Sequence, residues 1–243
     1  MEVVERKPRD TLKLTREIVY LVIAFVFPLV LISVLIGSSG ISLFAYEGNT
    51  MIMSDMQSQY ICYLRSFRNL LLNNGSFVYT TETVFGTNYM SIFTYYLASP
   101  FNYLVVLFDE TALPLFFVWS SILKMSFAGF NFYLLARFSG KFTFQKLICA
   151  LGYGLISYSF VYMFNFMWLD GVMILPLVIL GLHFLKEKRH LWLYPLALAY
   201  SLMTSWYIGF MICMFVVFYF FMVLSASPSS SRAAIRRPTF QST

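Results

Sequence analysis

The sequence predicts an all-α membrane protein: a polytopic helical bundle of about six transmembrane helices, with interfacial helices in its first outer loop. Three observations carry that prediction. The chain has 243 residues, of which 59% are hydrophobic and only 12% charged. A soluble domain averages about 45–50% apolar and about 25% charged, and it needs that polar surface to meet water. The apolar residues gather in runs near the roughly 20 residues a helix needs to cross the hydrocarbon core. Aromatic residues make up 20%, with 27 Phe and 17 Tyr, and no strand-length alternation accompanies them. That favours helices over an outer-membrane barrel. A soluble enzyme, a disordered chain and a secreted disulfide scaffold are excluded.

The first apolar run, 18–35, follows a polar segment, 1–17, that carries Arg6, Lys7, Arg9, Lys13 and Arg16. This start resembles a signal peptide. No small-residue cleavage site follows, and the run is long, so it reads as a retained span. Further runs occupy 113–136, 147–167, 171–185, 191–206 and 208–224. The stretch 89–108 decides the topology of everything after it. If it does not cross, every basic residue except Arg65, Arg68 and Lys124 shares a side with the N-terminus. The other side then holds Glu47, Asp55, Glu82, Asp109, Glu110 and Asp170. If it crosses, that sorting collapses. The positive-inside rule therefore predicts an embedded, non-spanning element, with both termini cytoplasmic. Ser99-Pro100 at its middle agrees, because proline breaks a helix and biases the preceding residue towards extended backbone. Residues 18–224 then form one transmembrane domain, with 45–112 as its outer loop. The remainder, 225–243, is Ser/Pro/Arg-rich and reads as a disordered basic tail.

The formal charge of +6 is explained by this sorting, so no nucleic-acid partner is expected. Cys62, Cys149 and Cys213 show no CxxC or Cys/His spacing, so neither a disulfide framework nor a zinc site is suggested. His183 and His190, beside Lys186, Lys188 and Arg189, read as an interfacial cluster at a helix end.

Within the outer loop, 57–72 reads QSQYICYLRSFRNLLL. Tyr60, Ile61, Leu64, Phe67 and Leu71 recur at helical spacing, with Arg65, Arg68 and Asn69 opposite. A basic amphipathic helix lies in the interface, where Arg65 and Arg68 could touch lipid phosphates. Asp55 stands just before it. Two readings fit: an N-cap for the following helix, or a catalytic acid, base or metal ligand facing a membrane-embedded donor. Glu82, in a polar loop turned by Gly86, and Asp170, beside the interfacial Trp168, are the other outer carboxylates. They are either loop residues or partners of Asp55 in one cluster. Lys124 is the one charge inside a run. It should face the bundle interior, holding an anionic headgroup or pairing with a carbonyl or carboxylate.

These blocks, taken in order, resemble the amino-terminal part of the bacterial YfhO family of membrane proteins. They are Asp55 with Gln59 and Tyr60, Gly86 with Asn88, Tyr95 and Tyr96 with Ser99-Pro100-Phe101, Trp168 and Asp170 with Pro176, and Trp206 and Tyr207 with Gly209. They span residues 50 to about 222. The specificity lies in their order. The family is regarded as similar to the GT-C superfamily of integral membrane glycosyltransferases. The resemblance implies transfer of a sugar from a polyprenyl-phosphate donor to a cell-envelope acceptor, such as lipoteichoic acid, at the outer face of the bacterial plasma membrane. It makes Asp55 the candidate catalytic carboxylate, either as general base or as ligand of a divalent metal. It makes the 89–108 element part of the donor cavity. Lys124, Arg65, Arg68, Glu82, Asp170, Tyr60 and Asn88 become candidates for binding the substrates. No organic cofactor is expected. Family members are longer, with further spans and an outer domain, so a truncated gene product is a second reading of the abrupt change at Ser225. The rival function is a carrier-lipid or envelope-polymer transporter, or an accessory protein, that would use Lys124 but not need Asp55.

Overall fold

The structure is a computed structural model that describes residues 8–44, 49–50, 52, 55–73, 75–81, 86–138 and 143–225. The predicted tail beyond residue 225 and the segment before residue 8 lie outside the described residues, as does Glu82. The described chain is a helical membrane protein. Helix α1 (Pro8–Ser38) leads to a π-helical turn (Met56–Tyr60) and α2 (Ile61–Leu72). A two-stranded antiparallel ribbon, β1 (Tyr79–Thr80) with β2 (Thr87–Asn88), follows and pairs Tyr79 with Asn88. Gly86 takes φ 87° before β2, a left-handed backbone for which glycine is suited.

Next come α3 (Tyr89–Ile92), a second π-helical turn (Phe93–Leu97) and a 3-10 helix (Pro100–Leu107). The last six helices are α4 (Leu113–Ala136), α5 (Thr143–Gly154), the short α6 (Ser157–Val161), α7 (Trp168–Lys186), α8 (Leu193–Thr204) and α9 (Trp206–Ser225).

Four helical stretches are long and apolar enough to cross a membrane: Leu14–Ser38, Glu110–Ala136, Phe144–Val161 and Trp168–Lys186. The six runs expected from sequence thus divide into these four and two shorter apolar helices, Leu193–Thr204 and Trp206–Met222. At 1.5 Å per residue, a 12-residue α8 rises only about 18 Å, against a core of about 30 Å. The run expected over 147–167 is also interrupted. Helix α5 ends at Gly154, and Ile156 is extended (ψ 134°) before α6 begins. Glycine is among the weakest helix formers, and a Cβ at Gly154 would lie only 3.1 Å from the Gly129 Cα on α4. Close backbone packing has been favoured there over a continuous helix.

The stretch 89–108 is not a straight helix. Its two arms, Tyr89–Leu97 and Pro100–Leu107, meet at 98°. Ser99 is extended (ψ 131°) and Pro100 opens the second arm, as proline's restriction of its neighbour requires.

Helix α4 is the hub. It packs against α1, α5 and α7, and its buried residues occur all around it, from Leu113 and Phe116 to Tyr133 and Ala136. At one end of the bundle, Leu64 and Phe67 of α2 join Tyr89, Leu97, Val105, Phe117 and Phe166 in the largest apolar cluster. Helix α2 and the bent element are therefore packed onto the bundle. Leu70, rather than Leu71, is the better-buried residue of its last turn.

Candidate functional site

Asp55 begins the first π-helical turn, in αR backbone, and its side chain is exposed. It holds the N-cap position without making a side-chain capping hydrogen bond. It heads the first π turn, and that turn meets the second through the rings of Tyr60 and Tyr96, 5.5 Å apart. The first is closed by Ile61 N–H donating to Met56 O. The second is closed by Ala98 N–H donating to Phe93 O at 2.8 Å. Each π turn inserts a residue into the helical ladder, a local rearrangement frequent at functional sites. These two turns contain Gln59 and Tyr60, and Tyr95 and Tyr96.

Tyr60 is buried and donates to Asn165 Oδ1 at 2.7 Å. Burial, then the neighbouring Asp55 charge, push its phenol above the ordinary value. It therefore remains a protonated donor, and it ties the turn after Asp55 to the segment before α7. The ring of Tyr60 also packs on Tyr96 and Phe166.

Arg65 and Arg68 lie on α2, as expected, and face the segment before α4. Arg65 Nε is 3.3 Å from Glu110, with both side chains about half exposed. Arg68 donates from Nε to the Phe108 carbonyl at 2.7 Å and reaches Asp109 at 3.9 Å. Asn88 caps α3, accepting from Met90 N–H at 3.0 Å.

Beneath these groups sits a sealed charge network. Lys124 of α4 and Asp170 of α7 are fully buried and 2.7 Å apart. Lys124 also donates to the Phe166 carbonyl at 3.0 Å and lies over the Phe166 ring. The other oxygen of Asp170 accepts from Ser99 Oγ and Tyr200 OH, both at 2.7 Å. Four elements meet at one carboxylate: the bend of the 89–108 element, α4, α7 and α8. Of the two readings of Lys124, the pairing with a carbonyl and a carboxylate is the arrangement present. Asp170 lies in the first turn of α7, where a negative charge suits the helix dipole. It is not in the exposed loop beside Asp55. Ser99 and Tyr200 were missed by sequence reasoning. The intramembrane Lys124 announced that a partner existed, but nothing in the residue types named these hydroxyls.

An apolar cavity of about 360 Å³ lies between the second arm of the bent element and α4, lined by Phe101, Leu104, Leu107, Phe108, Phe116, Trp119, Ser120 and Leu123. Phe108 joins it to the basic face of α2, because its carbonyl is the acceptor for Arg68. Among the described residues, no group of three or more His, Cys, Asp or Glu converges to hold a metal ion. His183, at the far end of α7, instead bonds Tyr219 OH at 2.7 Å.

The family model described as "Bacterial membrane protein YfhO" matches residues 24–241. The chain belongs to the YfhO family. The match takes in the bundle, the bent element, Asp55 and the Lys124–Asp170 pair. No curated protein and no solved structure matches this YfhO-family chain.

Proposed function

We propose that this YfhO-family protein is a membrane glycosyltransferase of GT-C type, transferring a sugar from a polyprenyl-phosphate donor to a cell-envelope acceptor at the outer face of the bacterial plasma membrane. The observation that carries the reading is the setting of Asp55. It is an exposed carboxylate with no capping bond, at the start of a π turn whose Tyr60 ring packs on Tyr96 of a bent element rather than a straight span. A carboxylate in that setting can accept the proton of an acceptor hydroxyl as it attacks the anomeric carbon. The phosphate leaves with the carrier lipid. Family membership supports the same class.

The donor's parts have matching surroundings. The exposed Arg65–Glu110 pair contributes little and can exchange its carboxylate for a phosphate. The apolar cavity reached through Phe108 has the lining an isoprenoid chain needs. Lys124 is assigned a different role. It has no exposed surface and is committed to Asp170, so it holds the bent element in place and does not meet the donor. A transporter that used Lys124 would first have to break this buried pair.

The test is transfer from a lipid-linked sugar to acceptor in vesicles containing the full chain. Asp55→Asn, which keeps the shape and removes the base, should lower turnover by about 10²–10⁴-fold while leaving the melting temperature unchanged. Unchanged transfer would remove Asp55 from the mechanism.

A further inference from the structure

Next to Asp55 the aromatic residues do not lie scattered, as in an ordinary interfacial belt, but touch ring to ring across separate elements. Tyr96 meets Tyr95 edge to face at 4.5 Å between centroids, and Tyr95 meets Trp206 at 5.8 Å. Trp206 is followed by Tyr207 at 6.4 Å, Tyr207 by Trp168 at 5.9 Å, and Trp168 by Tyr162 at 5.5 Å. The backbone break at Ser205 (φ −161°, ψ 102°) places Trp206 and Tyr207 in the first turn of α9. Trp206 is 57% exposed and Tyr207 40% exposed.

We infer that this row is a carbohydrate-binding platform, on which pyranose rings of the acceptor glycan stack as they approach Asp55. The faces of Trp and Tyr carry negative potential, and they attract the weakly positive C–H groups on one face of a pyranose. No charged side chain belongs to the row, so it does not select an anion. Polar atoms do belong to it. The Trp168 indole N–H and the Ser205 hydroxyl are buried and have no hydrogen-bond partner among the described residues. Buried donors of this kind normally have acceptors. Sugar hydroxyls can supply them and acyl chains cannot. At Tyr96 the row meets Tyr60 and Tyr63, which lie in the turn and helix that follow Asp55, so a glycan lying along it would bring its end towards that carboxylate.

The ligand class rests on the transferase reading above, but the test does not depend on turnover. The full chain in nanodiscs is titrated with maltohexaose and, separately, with the N-acetylglucosamine hexamer. Saturation-transfer NMR then reads contact between protein aromatic protons and sugar C–H protons. Transfer to at least one probe is expected. Affinity should fall about tenfold in the Trp206→Ala/Tyr207→Ala variant. Trp206→Leu, which keeps apolar bulk without the ring, should show a similar loss. Trp192→Ala, remote from the row, should bind as the parent does. The proposal is overturned if neither probe shows transfer, or if Trp206→Leu and the double variant bind like the parent. It is also overturned if brominated lipids quench Trp206 as strongly as the 78% exposed Trp192, because the row is then a lipid anchor. Failure here leaves the Asp55 transfer test intact, and loss of transfer in Asp55→Asn leaves this binding measurement intact.

Discussion

Lys124 and Asp170 form an ion pair at 2.7 Å with no exposed surface on either side chain. Neither residue's own helix explains the pair. It is completed by Ser99 at the bend of the 89–108 element and by Tyr200 of α8. A buried pair of this kind often contributes little net stability over an apolar pair, yet losing one partner strands a charge. Lys124→Met and Asp170→Leu should therefore each destabilise the bundle by about 3–5 kcal/mol. The double variant should lose much less than the two losses added together. Thermal unfolding in detergent, analysed as a double-mutant cycle, measures this coupling. Additive losses would mean that the two groups do not depend on each other.

Helix packing gives a paired prediction. A Cβ at Gly129 would come within 2.7 Å of the Ala24 carbonyl oxygen on α1, whereas a Cβ at Gly152 would meet nothing within 4 Å. Gly129→Ala should force α1 and α4 apart, at a cost of about 1–3 kcal/mol. Gly152→Ala should be neutral or stabilising by up to about 1 kcal/mol, since alanine is the better helix former. The two melting temperatures should move in opposite directions, or the second should stay still while the first falls.

Much of the bundle was legible because the hydrocarbon core constrains sequence so strongly. Runs of apolar residues and the sorting of Lys and Arg gave the helices at 18–35, 113–136 and 171–185, and Ser99-Pro100 gave the bend. What escaped was whatever depends on contact between distant segments. The end of α5 at Gly154 reflects its approach to Gly129, which no local pattern records. Asp170 looked like an outer carboxylate because the interfacial Trp168 stands two residues before it. Only the packing of α4 against α7 shows that it answers Lys124. The Asp55 motif could be read in order but not in geometry, because π turns carry no period that a helical count detects.

Tyr60 offers a test of how the Asp55 turn is held. Its hydroxyl donates to Asn165 Oδ1 at 2.7 Å in a buried setting. Tyr60→Phe removes the donor and leaves the Asn165 oxygen without it, which should cost about 1–3 kcal/mol. The ring contacts with Tyr96 and Phe166 should survive. If the bond positions Asp55, transfer in the vesicle assay should fall through turnover while the probe affinities of the aromatic row stay unchanged. A drop in melting temperature with unaltered turnover would assign Tyr60 to stability alone.

Orientation is tested with thiols the chain already carries. Cys62 lies exposed on α2, and Cys149 and Cys213 are also free. With Cys149 and Cys213 replaced by alanine, Cys62 is the sole thiol. A membrane-impermeant maleimide should label it in right-side-out vesicles. In a background lacking all three, Gln145→Cys places a thiol at an exposed position in the first turn of α5, next to Lys146. The charge sorting puts that turn on the cytoplasmic side, so it should react only after the vesicles are opened. The two results together require one net crossing between α2 and α5, made by α4, with the 89–108 element returning to the side it came from. Labelling of position 145 in sealed vesicles would make that element a true span, and it would move every later basic loop to the outer face.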